Sequence, residues 1–474
     1  VAPTGVGVDT RRAPAIANGP AWLGAAVYGL LLAAGERLLN DPDTYWHIAT
    51  GRWIWAHAAV PSVDPFSHTF GGAPWLAHEW LAELIFAGAY GALGWAGVVA
   101  LAAAAIAAGL ALLLQALQGY VRPTLALGAT ALAFFLMAAH LTARPHALAL
   151  PVLAIWAAAL VRARHESRAP SLWLLPLMTL WANLHGGFVV GLGLAGALAL
   201  EAMLTAQGRA PRRSALIGWG RFVAGAALAS LATPQGIAGW WFPFKLMSLG
   251  FALDFVGEWH APVLGPFAPL VLWLAALMAF ALATDLRAPV PRVLMVAGLV
   301  AMALSRTRNA ELLALLTPLL LAPSIATTLR PSGRRGIRSS AALLAVLLAA
   351  TVPAVFLGYA HENPLIAPER ALAAARQAGL EGPVFNDYDF GGYLIFEGVP
   401  VFVDGRIDLY GDDFMRTYAA ALEARDGSLP RLLDRYHVTW TLLKPDEAAV
   451  AALDRDPAWE RAYTGAGAVV HRRR

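Results

Sequence analysis

"LLNDPDTYWHIATGRW", residues 38–53, closes a very apolar stretch and sets two aspartates, a histidine and an arginine at its edge. The chain has 474 residues, 58% of them hydrophobic and only 14% charged, so such crowding needs a reason. Ionisable groups at membrane depth cost ~2.5–3.5 kcal/mol on insertion scales, and they mark function more often than packing. Long runs nearly free of charge recur from Ala21 to Phe356. Many could cross a ~30 Å hydrocarbon core at 1.5 Å per residue. The fold class is therefore mainly α, a polytopic membrane protein. The first run, Trp22 to Leu39, follows a long arm and shows no A-x-A-like cleavage site, so it reads as a retained helix.

The net charge of +4 comes mostly from arginines in short turns, which speaks to topology and lipid surface and excludes a nucleic-acid partner. Cysteine is absent, which rules out thiolate metal sites, disulfides and thiol catalysis. Basic turns fall at Arg11 and Arg12, Arg122, 162–168, 209–213, 287–292 and 330–338. If all face the cytoplasm, each consecutive pair encloses two crossings. That holds when "HEWLAELIFAGAYGALG" (78–94) is a juxtamembrane helix and not a span. The count is then about eleven spanning helices with the C-terminus outside. Residues 1–358 form the membrane domain, with 38–95 as its first outer loop. Residues 359–474 form a small outer α/β domain, with strands expected at 382–387, 399–406 and 436–444 and helices at 369–380 and 412–424.

This topology collects the unusual polar segments on the outer face: "NDPDTYWH", "PWLAHEW", "HLTARPH" (140–146), "ANLHGG" (182–187), "TPQG…FPFK" with "GEWH" (233–260), and "SRTRN" (305–309). Pro42 biases Asp41 towards an extended conformation, and an extended Asp-Pro-Asp sends its carboxylates to opposite sides. Asp43 reads either as the N-cap of the helix that follows or as a site residue. Asp41 has no cap to make at the exit of the first helix, and is the preferred general base. "HEW" lacks the second histidine of a zinc-protease motif because position 82 is alanine. Glu79 is left as support for the acid side. Arg144, Arg306 and Arg308, with His146, His185 and Lys245, suit a phosphate at the bilayer surface; the alternative for Lys245 is snorkelling. The two glycines after His185 would let a headgroup approach the backbone. His47, His78, Asp404 and Arg406 are candidate substrate contacts, although Asp404 and Arg406 also read as partners of each other. A divalent cation, if used, would draw on Asp41, Asp43 and His78.

Acid on one side and phosphate-binding cations on the other suit group transfer from a phosphate leaving group: the carboxylate takes a proton from an incoming hydroxyl, and the cations meet charge on the departing phosphate. At a membrane the matching donor is a sugar on a polyprenyl phosphate.

The D-x-D-like motif after the first helix resembles the GT-C superfamily of polytopic, polyprenyl-phosphate-dependent glycosyltransferases. The set "DPDTYWHIATGRWI", "VPSVDPFSHTF", "PWLAHEWLAE", "ARPH", "WANLHGG", "RN" and "VFNDYDFGGYLIFEGVPVFVDGRIDLYGDDF" is similar to a bacterial group of GT-C-like membrane proteins over nearly the whole chain. The resemblance implies a helical membrane core, juxtamembrane helices in the first outer loop and an outer C-terminal domain. It also implies that Asp41 or Asp43 is the catalytic acid, with Glu79 in the same loop, and it implies residence in the bacterial inner membrane with a periplasmic C-terminal domain. The acceptor, whether glycan, lipid or protein, is not encoded in a recognisable motif. Two other readings compete: a non-catalytic scaffold subunit within a larger membrane complex, and a lipid-linked substrate transporter. The transporter is disfavoured because the polar residues lie at helix ends and not near the midplane.

The topology is testable because the chain has no cysteine. Single cysteines in the C-terminal domain should react with an impermeant thiol reagent in intact cells, and cysteines at 162–168 or 330–338 should be protected. The opposite labelling pattern would overturn the sorting of faces.

Overall fold

The computed structural model describes residues 19–328, 349–356, 358–359 and 363–474. The molecule is mostly helical. α1 (Gly19–Ala33) is followed by the one-turn α2 (Gly35–Leu38) and then by α3 (Asp43–His57). α4 (Trp80–Gln118) breaks at Leu93 and Gly94, where Gly94 takes φ +59° and ψ −145°. That conformation suits only glycine. It separates the 80–92 helix from the apolar helix after it, at the place where the sequence analysis ends its juxtamembrane segment. α3 lies against the first part of α4 at backbone contact: a Cβ on Gly51 would sit 2.1 Å from the Glu83 carbonyl oxygen.

The membrane core continues with α5 (Pro123–Met137), α6 (Pro145–His165), α7 (Leu175–Leu184), α8 (Phe188–Thr205), α9 (Arg209–Ser230), α10 (Ile237–Met247), α11 (Pro269–Thr284), α12 (Val290–Ser305) and α13 (Ala310–Thr328). Proline opens α5, α6 and α11, where its missing N–H costs nothing. Among the described residues five helices are long and apolar enough to cross a membrane, and four more apolar helices run 10–17 residues. The other segments in the expected eleven are the arginine-richer α9 and residues 340–359, half of which lie outside the described residues.

Short turns make successive helices antiparallel. The ends of α5, α7 and α12 therefore meet the starts of α6, α8 and α13 at one end of the bundle, and the basic turns at Arg122, 162–168, 209–213 and Arg287 gather at the other; Arg11, Arg12 and 330–338 lie outside the described residues. Arg292, counted above as a turn charge, is 4% exposed. It shares Glu201 with Arg164 and donates to the Leu320 carbonyl at 2.9 Å. It locks helices together where a loop charge was expected.

The C-terminal unit carries a four-stranded sheet of β1 (Val384–Asn386), β2 (Trp440–Leu443), β3 (Trp459–Thr464) and β4 (Val469–Arg473), in the order β1-β2-β4-β3. β1 and β2 are parallel and the other pairs antiparallel. Helices at Glu369–Gln377 and Ile407–Leu422 match the amphipathic stretches expected there. The segment 399–406 is not a strand of this sheet. Its backbone pairs with the first outer loop: Val401 N–H donates to Phe66 O (3.2 Å), His68 N–H to Val401 O (3.0 Å), and Thr69 Oγ1 to Phe402 O (2.7 Å). The terminal β3–β4 hairpin was not anticipated, because "WERAYT" has the half-exposed polar pattern of an edge.

One buried cluster joins loop and domain. The Arg406 guanidinium donates to Asp404 (Nε–Oδ1 2.8 Å, Nη2–Oδ2 2.7 Å) and to Asp64 of the loop, between the faces of Phe66 and Trp75. Tyr410 completes Asp404 with a 2.6 Å bond. Replacing Arg406 by Met should strand two buried carboxylates and destabilise the protein by ~3–5 kcal/mol. Removing the half-exposed Arg376, which pairs with Glu397, should cost no more than ~1 kcal/mol. Thermal unfolding of the two variants in detergent compares them directly.

Candidate active site

The opening motif folds differently from an extended Asp-Pro-Asp. Pro42 takes helical angles (φ −64°, ψ −26°) and stands at the N-cap of α3. Asp41 turns its carboxylate back to accept the Asp43 N–H at 3.0 Å, so the cap comes from Asp41. The two carboxylates converge instead of diverging. Arg144 reaches both, Nη1 at 3.4 Å from Asp41 and Nη2 at 2.8 Å from Asp43. Arg144 precedes Pro145, which holds it extended (φ −126°, ψ 165°) at the start of α6. Its third carboxylate, Glu258 from "GEWH", lies at 3.4 Å and also pairs with Arg308 at 3.2 Å.

Asp43 is buried at the wall of a cavity of about 520 Å³. Its Oδ1 accepts from Trp46 Nε1 at 2.9 Å. The backbone of the C-terminal unit presses on it, since a Cβ on Gly405 would fall 1.9 Å from Oδ1. Burial pushes the Asp43 carboxyl up to about 6; Arg144 resists that shift and Asp41 adds to it. For Glu258 burial also favours the neutral form, but Arg144 and Arg308 outweigh it and hold the carboxyl at about 2.

Glu79 is the centre of a second group. His185 Nε2 and His78 Nε2 lie 3.5 and 3.6 Å from its Oε1, and His47 Nε2 lies 3.9 Å from Oε2. Behind it, His47 Nδ1 meets Glu83 at 3.3 Å, and the His47 ring packs on Trp46. Burial drives Glu79 up to about 8, only partly offset by Arg144 and Arg308. Burial likewise lowers His78 to about 4 and takes His47 and His185 well below the ordinary histidine range. At neutral pH this group is polar but uncharged.

Arg306 and Arg308 pack over the Trp259 ring at 4.4 and 4.5 Å. Among the described residues Arg306 has no carboxylate partner, which sets it apart from Arg144 and Arg308. His146 Nε2 lies 3.4 Å from Glu311. Leu150 and Leu153 of α6, Val190 of α8, Leu246, Met302 and Leu312 line an apolar part of the same cavity.

The structure thus brings Asp43, His78, Glu79, Arg144, His146, His185, Arg306 and Arg308 to one cavity. Asp41 and His47 stand behind this wall, and Lys245 is exposed away from it. Arg406 also lines the cavity, but its guanidinium is engaged with Asp404 and Asp64 within the protein. Glu258, Trp259, Trp181 and Glu311 line the cavity and were not singled out individually; Asp408 lines it too. For Glu258 and Trp259 the signal was present in the polar segment "GEWH". Among the described residues no group of three or more His, Cys, Asp or Glu side chains is arranged to hold a metal ion. Both aspartates of the opening motif are bound to Arg144, a poor fit to a resident divalent cation, and no step is derived through one.

No protein-family model and no curated protein matches the sequence. Solved structures match the fold, among them the following two. The archaeal oligosaccharyltransferase AglB from Archaeoglobus fulgidus, solved in complex with an inhibitory peptide and a dolichol-phosphate, aligns with a TM-score of 0.52 at 10% identity, over 90% of this chain and 69% of its own. ArnT from Cupriavidus metallidurans, solved bound to undecaprenyl phosphate, aligns with a TM-score of 0.52 at 16% identity, over 95% of this chain and 97% of its own. Both are GT-C proteins, so this chain is a membrane protein with the GT-C fold.

The charge state of Glu79 gives a measurable slope. Its carboxyl rises from an ordinary 4.5 to about 8 on folding, so the folded state binds the extra proton between those values. The stability this contributes is complete below about 4.5 and is lost as pH rises through about 8. Glu79→Gln mimics the protonated form. The stability of wild type relative to this variant should fall between pH 5 and pH 9, as read by thermal unfolding in detergent; a pH-independent difference would contradict a neutral Glu79.

Proposed function

We propose that this protein is a membrane glycosyltransferase that moves a sugar from a polyprenyl-phosphate donor to an acceptor hydroxyl at the outer face of a bacterial inner membrane. The observation that carries the reading is the placing of a buried, proton-ready carboxylate, Asp43, in the same cavity as the uncompensated cation Arg306 and an apolar channel between helices. The GT-C fold, shared with proteins solved bound to undecaprenyl phosphate and dolichol-phosphate, supports it.

The chemistry follows from those parts. Asp43 is ionised at neutral pH and close enough to its own pKa to accept a proton, which makes it the general base in preference to Asp41. The acceptor oxygen attacks the anomeric carbon as Asp43 takes its proton. The bond from that carbon to the phosphate oxygen breaks, and the polyprenyl phosphate leaves with one more negative charge. Arg306 and Arg308 meet that charge through charge-assisted hydrogen bonds. Arg144 does not need to touch the donor: it holds Asp41, Asp43 and Glu258 together. The apolar channel takes the first isoprene units.

Transfer by purified protein from a panel of polyprenyl-phosphate sugars tests this reading, with binding of the same donors measured in parallel. Asp43→Asn keeps the shape and the Trp46 contact but loses proton-accepting power. Transfer should fall ~10²–10⁴-fold with donor binding retained. Arg306→Ala should weaken donor binding instead. Full transfer by Asp43→Asn would remove the role assigned to it, and absence of both transfer and donor binding in wild type would favour a scaffold.

A further inference from the structure

The cavity has two chemically different ends. Asp43, Arg144, Glu258 and Arg308 stand at one end in mutual ion pairs, with Arg306 beside them. At the other end the polar groups carry hydrogen-bonding capacity without charge. Trp181 is 1% exposed, yet its indole N–H has no acceptor among the described residues. A buried indole N–H ordinarily finds a partner, and leaving it without one costs ~1–3 kcal/mol. The nitrogen lies beside Gly187, where a Cβ would be 3.7 Å away, and both residues line the cavity. The nitrogen is closed from solvent on a residue that lines the cavity, so a ligand oxygen that enters between Trp181 and Gly187 would supply the missing acceptor.

His185 stands next to it with its tautomer fixed. The Gly187 N–H donates to His185 Nδ1 at 3.0 Å, so the ring proton of the neutral imidazole is on Nε2, facing Glu79. The His146 ring lies 6.4 Å from that of His185, and its Nε2 is buried without a hydrogen bond. His78 stacks on Phe242 at 4.0 Å. Donors and acceptors alternate over a short distance, and none belongs to a charged side chain at neutral pH.

We infer that this end of the cavity, walled by His78, Glu79, His146, Trp181 and His185, holds the transferred sugar, and that the sugar is uncharged and hydroxyl-bearing. The inference rests on the proposed function. A hydroxyl both donates and accepts, which matches an alternation of indole N–H, imidazole N–H and imidazole lone pair. An aminosugar would bring an ammonium to a site where burial pushes Glu79 up to about 8, where Glu311 already faces His146, and where Asp43 and Glu258 are already paired with Arg144. A uronate would face unprotonated histidines. The ammonium would be buried without a free carboxylate, and the uronate would compete with the donor phosphate for Arg306; either costs more than placing a neutral hydroxyl.

The test compares wild type with Trp181→Phe, which removes the N–H together with the five-membered half of the indole, so the bare-lipid arm reports any loss that comes from packing alone. Four probes are bound to each protein: bare polyprenyl phosphate, and the same lipid carrying a neutral hexose, an aminohexose or a hexuronate. Wild type should bind the neutral hexose conjugate more tightly than the bare lipid, and the two charged conjugates no more tightly than the bare lipid. Trp181→Phe should lose about threefold to tenfold in affinity for the neutral conjugate, the worth of one hydrogen bond, with bare lipid unchanged. Preference for a charged sugar would overturn the inference. So would an equal loss on the bare lipid, which would assign the N–H to the phosphate. Failure of wild type to bind even bare polyprenyl phosphate would instead strike at the proposed function on which the inference stands.

Discussion

Everything at the outer end of this molecule is arranged around one guanidinium. Arg144 is within ion-pair distance of Asp41, Asp43 and Glu258, drawn from two separate segments of the chain. Without a shared cation, three carboxylates this close would repel one another and open the turn that carries them. With it they are sorted. Glu258 has Arg308 as a second partner and stays a firm anion, at about 2. Asp43 shares Arg144 with Asp41, is buried more tightly, and rises to about 6. A shared arginine thus leaves one carboxyl a permanent anion and another a proton acceptor, by differences in company and solvent.

The C-terminal unit belongs to this arrangement. Gly405 lies against the Asp43 carboxylate, and a Cβ on Gly392 would meet the Pro42 carbonyl at 2.2 Å. The "DGR" turn is held in place by the Arg406, Asp404 and Asp64 cluster, which carries no exposed side-chain surface. Sheet and loop therefore form the roof under which Asp43 loses its water, and the raised pKa of that carboxyl depends on packing from a distant part of the sequence.

Much of this was legible from residue pattern. Apolar runs located the helices, and the count of basic turns set 78–94 apart from the helix after it, where the structure breaks at Leu93 and Gly94. The polar segments that converge on the cavity were recognisable as costly at membrane depth. Roles within the opening motif were not. Pro42 restrains the residue before it, but its own φ of −64° is as good for a helix as for an extended chain, and the helix won. That choice made Asp41 the cap and turned Asp43 inward. Residues 399–406 have a strand's composition, but their partner is a loop more than 300 residues earlier, and no local signal records it. Trp181 looked like any aromatic in an apolar helix. Only its unpartnered indole N–H on a residue of the cavity wall distinguishes it.

The pairing of Asp64 with Arg406 spans 342 residues of chain. At ~5–20 residues per second of synthesis, roughly 20–70 s separate the appearance of the acid from that of its cation. For that interval the first outer loop must stay solvated, with Asp64 in water and no strand-like partner for residues 66–69. The roof over Asp43 cannot close until the last quarter of the polypeptide has been made. Assembly of the site is therefore a late event in the life of the chain, and the membrane helices are in place before the carboxylate they frame acquires its chemistry.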